Sequence, residues 1–243
     1  MKRLIAFATM ILAAATLNTS CEGVENKVEY LAELASIVDG TPETGNFYVI
    51  FDNGQKAFVT NSNQITIPQQ AYTDGEARAI IQYSIDGSRT GFDKCIKIAD
   101  LFPIVTERVT IKTEKGIDYD VMKSSFNIKN AYIARDYITL DLEYMYSENP
   151  TSHNFHLVYN DTPKLNEDGL FYGNYMNDGY LYLELFYDPG REVSIETYET
   201  FISFKFDPEK LHIDNIDDYL GIKILYRSFN EKNQNYDYVI NFK

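Results

Sequence analysis

Alternation of apolar and polar residues with a period of two recurs along most of the chain, in short runs closed by Asn, Asp, Gly or Pro. A half-buried strand has that period, whereas a helix repeats every 3.6 residues. The second half shows it best. Tyr137–Tyr146 sets Ile138, Leu140, Leu142 and Tyr144 on one face, and Phe155–Tyr159 does the same with Phe155, Leu157 and Tyr159. Tyr180–Tyr187 aligns Leu181, Leu183 and Leu185, and Thr200–Phe206 aligns Ile202, Phe204 and Phe206. Leu220–Tyr226 and Tyr236–Phe242 complete the set. Such a series predicts an antiparallel β-sandwich. Asp207–Leu211 (DPEKL) reads as one helical turn, with Asp207 as N-cap and Pro208 in its first position.

The first half carries shorter strands, at Tyr30–Val38, Phe47–Phe51, Lys56–Thr60, around Ile65 and Ile67, Arg78–Ile85 and Phe92–Ile98. Asn53-Gly54 lies between two β-rich runs and is a strong hairpin signal, because both residues tolerate positive φ. That strand density fits a small barrel of the OB type. Ile104–Lys112 reads as one more extended strand, and the polar stretch 114–120 (EKGIDYD) marks a boundary. The expected fold is all-β: an OB-like barrel over 28–113, then an antiparallel β-sandwich over 118–243.

The N-terminus supplies an address. Lys2 and Arg3 precede an uncharged, mostly apolar run from Leu4 to Leu17. That run is too short to span a bilayer, which takes roughly 20 apolar residues, and suits a signal peptide. Ser20-Cys21 follows, although Asn18 stands where a lipoprotein signal usually has an aliphatic residue. Residues 1–20 therefore read as a lipoprotein signal peptide and 21–27 as a tether, with Cys21 the acylated first residue of the mature chain. The expected location is the cell envelope, at the outer membrane, on its periplasmic or surface face. An ordinary secretory signal followed by an unrelated cysteine is the alternative. Cleavage leaves 36 acids against 20 bases, a formal charge of -16. Such a chain is repelled by a phosphate backbone, so nucleic acid is not an expected partner. Cys95 is left as a lone thiol, and its place in a strand suits a small apolar residue.

The segments FYVIFDNGQKAFV, ARAIIQYSIDG, YITLDLEYMY leading to SHNFHLVY, and FISFKFDPEKL together resemble the NigD-like proteins of Bacteroidetes. The resemblance covers nearly all of the mature chain. It implies a lipoprotein signal, an N-terminal OB-like domain and a C-terminal β-sandwich. It implies no established activity and no functional residues to carry over.

Chemistry-bearing patterns are sparse. His153 and His156 are three apart, which puts them on opposite faces of a strand and argues against a shared metal. His212 follows the helical turn and is placed to satisfy its last carbonyls. The Asn-Asp-Gly content near 166–169 and 177–179, and the acids of 214–218, are explained by turn chemistry without calcium. No nucleophile elbow, P-loop, zincin or CxxC motif occurs. No metal, cofactor or catalytic residue is assigned. Tyr172, Tyr175, Tyr180 and Tyr182 cluster, and Tyr180 and Tyr182 point away from Leu181 and Leu183.

Three readings follow. The first is a non-enzymatic, envelope-anchored lipoprotein with a binding or assembly role toward an envelope protein. The second is a glycan-binding module using exposed Tyr172, Tyr175, Tyr180 and Tyr182, which the absence of tryptophan weakens. The third is a hydrolase with an unrecognised carboxylate pair.

Overall fold

The computed structural model describes residues 29–38, 47–67, 72–73, 76–111, 126–146, 154–159, 164–165, 171–172, 179–188, 196–227 and 235–242. The signal peptide, Cys21 and the tether lie outside them, as do His153 and Tyr175. The chain forms two compact units, 1–106 and 107–243.

The first unit contains β1 (Leu31–Val38), β2 (Tyr48–Phe51), β3 (Lys56–Val59), β4 (Tyr72–Thr73), β5 (Glu76–Ile85) and β6 (Lys94–Pro103). Their order is β1-β2-β3-β6-β5, with β4 added on β5. Strand β1 pairs with both β2 and β5, so Ala35 faces Phe51 on one side and Ala79 on the other. That double pairing closes the expected barrel of β1, β2, β3, β6 and β5. Ala35, Ala57, Ala77 and Ala79 are fully buried beside Val49, Ile81 and Ile96, and the small side chains let the wall curve tightly. Asn53-Gly54 forms the predicted hairpin, with Gly54 at φ 85° and its N–H donating to the Phe51 carbonyl.

The strand expected around Ile65 and Ile67 is instead a 3-10 turn, Ser62–Gln64, followed by extended chain. Asn61 explains it: its side-chain amide donates to the Ile98 carbonyl and accepts from the Ile98 N–H, standing in for a strand's backbone. Ile67 still enters the core, at 3 % exposure.

The second unit has two main sheets. One has the order β7 (Val105–Arg108), β15 (Glu196–Lys205), β10 (Tyr137–Tyr146), β9 (Phe126–Ala134). The other runs β17 (Asn235–Asn241), β16 (Gly221–Arg227), β14 (Tyr180–Asp188), β11 (Asn154–Tyr159), β8 (Thr110–Ile111). A small ribbon pairs β12 (Lys164–Leu165) with β13 (Phe171–Tyr172). Leu140, Ile202 and Phe204 from the first sheet share one core with Leu157, Leu183 and Ile224 from the second. Phe155 stacks on Tyr187 at 4.5 Å within it.

Three features differ from the expectation. The boundary falls near residue 106 and not between 113 and 118, because β7 and β8 hydrogen-bond into the second unit's sheets. The five-stranded sheet is mixed and not purely antiparallel: β14 runs parallel to β16, and β8 to β11. The chain crosses into the opposite sheet as β15 before returning, and such a crossover delivers β16 parallel to β14. Strand β9 escaped the sequence pattern because a bulge opposite Asp141 and Leu142 leaves Lys129 unpaired. Phe126 and Ile128 are buried before the bulge and Ala131 after it, so the alternation slips by one residue.

The turn at Asp207 is a single 3-10 turn, Glu209–Leu211, with Pro208 in the capping place and the Asp207 carboxylate accepting from the Lys210 N–H at 3.4 Å. His212 closes it through its backbone N–H, which donates to the Glu209 carbonyl.

Candidate interaction surface

The tyrosines come first. Alternation in β14 does turn Tyr180 and Tyr182 away from Leu181 and Leu183. The parallel neighbour β16 then places Gly221 beside Tyr180 and Lys223 beside Tyr182. The Lys223 ammonium lies 4.6 Å from the Tyr180 ring centre and 5.5 Å from that of Tyr182, and donates to the Tyr182 hydroxyl at 3.4 Å. Tyr180 donates to the Asn241 side-chain carbonyl at 2.9 Å. The expected exposure is corrected here. Tyr182 is buried at 4 %, and Val158 and Glu184, on the same side of the sheet, are buried too. Tyr180 is half-buried. This side of the sheet is a packed layer held by Lys223, and Tyr182 offers no open ring to a sugar. Tyr172 lies in β13, opposite Lys164, and Tyr175 is outside the described residues.

The outer side of the four-stranded sheet gathers charge. The bulge in β9 aims Lys129 at Glu199, 2.8 Å away. Glu143 lies opposite Glu199 and accepts from the Asn127 amide at 3.1 Å. Burial raises the Asp141 carboxyl above its ordinary range; Lys129 lowers it and Glu199 raises it further. An acid whose folded-state pKa is raised favours the fold below its ordinary pKa and disfavours it as pH rises through the folded value. Asp141→Asn is therefore expected to stabilise the second unit at pH 7 by a few tenths of a kcal/mol after solvent screening. The gain should vanish near about pH 3, where both forms are neutral. Urea unfolding at the two pH values measures it.

The first unit holds two clusters that no local pattern announced. Tyr83 donates to Glu33, and Lys94 donates to the Tyr83 hydroxyl at 2.7 Å while its ammonium lies 4.0 Å from the Phe51 ring centre. Burial, then the Glu33 contact, pushes the Tyr83 phenol up. On the barrel's outer side, Tyr48, Phe58 and Phe92 meet edge to face. Phe92 is 5.9 Å from Tyr48 and 5.5 Å from Phe58, and the Arg89 guanidinium lies 3.9 Å over Phe58. Members of each cluster are far apart in sequence, which is why alternation within one strand missed them. Among the described residues, no three His, Cys, Asp or Glu side chains gather to hold a metal. Cys95 is buried at 3 %, as its strand position suggested. No helix among the described residues is long and apolar enough to cross a membrane.

Solved structures similar to this chain include three from Bacteroides species. A Bacteroides vulgatus ATCC 8482 protein of unknown function, DUF1344, matches with a TM-score of 0.62 and 20% identity, over 88% of this chain and 92% of its own. A "Putative lipoprotein" of Bacteroides fragilis NCTC 9343 matches with a TM-score of 0.59 and 17% identity, over 88% and 99%. A NigD-like immunity protein of Bacteroides caccae ATCC 43185 matches with a TM-score of 0.55 and 16% identity, over 89% and 94%. These likenesses establish a shared fold. No match is found among curated proteins. Residues 108–240 match the NigD-like C-terminal beta sandwich domain, more than half of the chain and nearly all of its second unit. The chain belongs to the NigD-like family.

Proposed function

We propose that the protein is a non-enzymatic lipoprotein of the bacterial cell envelope, held by lipid on Cys21, whose β units present a binding or assembly surface to another envelope protein. The observation that carries this reading is the leader: two bases, an uncharged apolar run and a small residue directly before Cys21. The fold-mates support it, one being called a putative lipoprotein and another a NigD-like immunity protein. A single acyl chain holds a protein only marginally, whereas the two or three on a bacterial lipoprotein hold it stably.

Cys21→Ala is expected to move the protein from the membrane fraction to the soluble fraction. Full retention of the variant in membranes would refute anchoring through this residue. Affinity purification of the wild type from its native membranes is expected to recover one stoichiometric protein partner. Repeated recovery of the lipoprotein alone would remove the binding role.

A further inference from the structure

We propose that the outer face of β2, β3 and β6 docks the protein partner, and that the partner sets a carboxylate against Arg89; this rests on the binding role above and names its site. The face is built by the loop between β5 and β6 (DGSRTGFD). Gly87 at φ 94° and Gly91 at φ 88° turn that loop back over the barrel, and the Phe92 N–H donates to the Arg89 carbonyl. Phe92 thereby reaches Tyr48 on β2 and Phe58 on β3, which are paired directly. All three rings are half-buried and lie outside the barrel core. Such a cluster leaves apolar surface in water that a partner would cover.

Charge identifies what covers it. Arg89 is exposed, and the one polar or ring interaction of its side chain among the described residues is with the ring of Phe58. Among the described residues no hydrogen bond or ion pair engages its five N–H donors, whose planar fork suits a carboxylate. Lys56 and Lys97 are exposed on the same side of these strands. The two acids of the loop are already engaged: Asp93 accepts from the Lys56 N–H at 2.8 Å, and Asp86 from the Thr60 hydroxyl at 2.5 Å. Both acids keep their charge, since their donors are neutral, so Arg89, Lys56 and Lys97 against Asp86 and Asp93 leave this face one net positive charge in a chain whose formal charge is -14. A sugar would stack on an open ring face, and the guanidinium already occupies that of Phe58. Aromatic rings around an Arg with free donors are the composition of a protein–protein hot spot.

The test uses the full chain in its native host. With the photo-crosslinker p-benzoylphenylalanine replacing Phe92, irradiation is expected to give one adduct, at a partner peptide containing Asp or Glu. Arg89→Glu should abolish the adduct, and Lys223→Ala, on the second unit, should keep it. With the partner purified, Arg89→Ala and Phe92→Ala should each weaken its binding at least tenfold, while circular dichroism shows the wild-type fold. A partner bound equally by wild type, Arg89→Ala and Phe92→Ala would overturn the site and leave the binding role standing. Recovery of no partner would overturn both. Binding of a hexamer of galacturonic acid that is lost in Arg89→Ala, with no protein adduct, would make the face a glycan site and overturn the protein occupant.

Discussion

Asp52→Ala is expected to destabilise the first unit by about 3–5 kcal/mol, since it takes the carboxylate away from a buried guanidinium. The Arg78 side chain has no exposure, and that of Asp52 has 18 %. Arg78 grips the carboxylate with both terminal nitrogens, at 2.5 and 3.0 Å, and donates to the Ser36 hydroxyl at 3.3 Å. The three residues belong to different parts of the wall. Ser36 lies on β1 opposite Arg78 on β5, and Asp52 opens the β2–β3 hairpin. The ion pair therefore pins the hairpin to the seam at which β1 closes the barrel on β5. The pair's own contribution is smaller than the loss on breaking it, because both charges give up hydration to form it. Asp52→Asn together with Arg78→Met should thus cost less than Asp52→Ala alone. Urea unfolding of the mature chain reads both. A loss under about 0.5 kcal/mol for Asp52→Ala would mean that water reaches the guanidinium in the folded state.

Gly221→Ala is expected to damage the second unit by about 3 kcal/mol or more, at the upper end of what overpacking costs. Gly221 starts β16 and is paired on both sides, with Tyr180 of β14 and Asn241 of β17. A Cβ there would overlap the Ile240 carbonyl oxygen and come within 2.9 Å of the Asn241 Cα. Both obstacles are backbone, so no side-chain rotation relieves them. The strands must separate where Ile222 and Ile240, which are paired, enter the core. Thermal unfolding should show a lowered transition or an unfolded second unit. Leu220→Ala, one residue earlier at a side chain 53 % exposed, should change stability by no more than about 0.5 kcal/mol. Equal behaviour of the two variants would show that β17 moves aside without cost.

Particular residues show how far sequence reading reached. In β14 and β15 the alternating face of Leu181, Leu183, Leu185, Ile202 and Phe204 is the one that enters the sandwich core, because the pleat alone decides which residues share a side. In β9 the same rule failed at Lys129, since a bulge changes the phase without changing composition. At Tyr182 alternation named the right side of the sheet and the wrong environment. Which side a ring faces is local, whereas what lies over that side depends on strands 40 or more residues away, such as the one carrying Lys223.

The sequence by itself determined the all-β class, most of the strands, the Asn53-Gly54 hairpin, the family and the expected lipid address. Each is written in residues that are neighbours along the chain. Only the tertiary structure decided that β1 closes a barrel on β5, that β14 and β16 run parallel, and that Arg78 is neutralised by Asp52. It alone brought Arg89, Phe92, Phe58 and Tyr48 onto one face. These depend on which strands meet, and many pairings are compatible with one alternating pattern until burial and hydrogen bonding of the whole chain select among them.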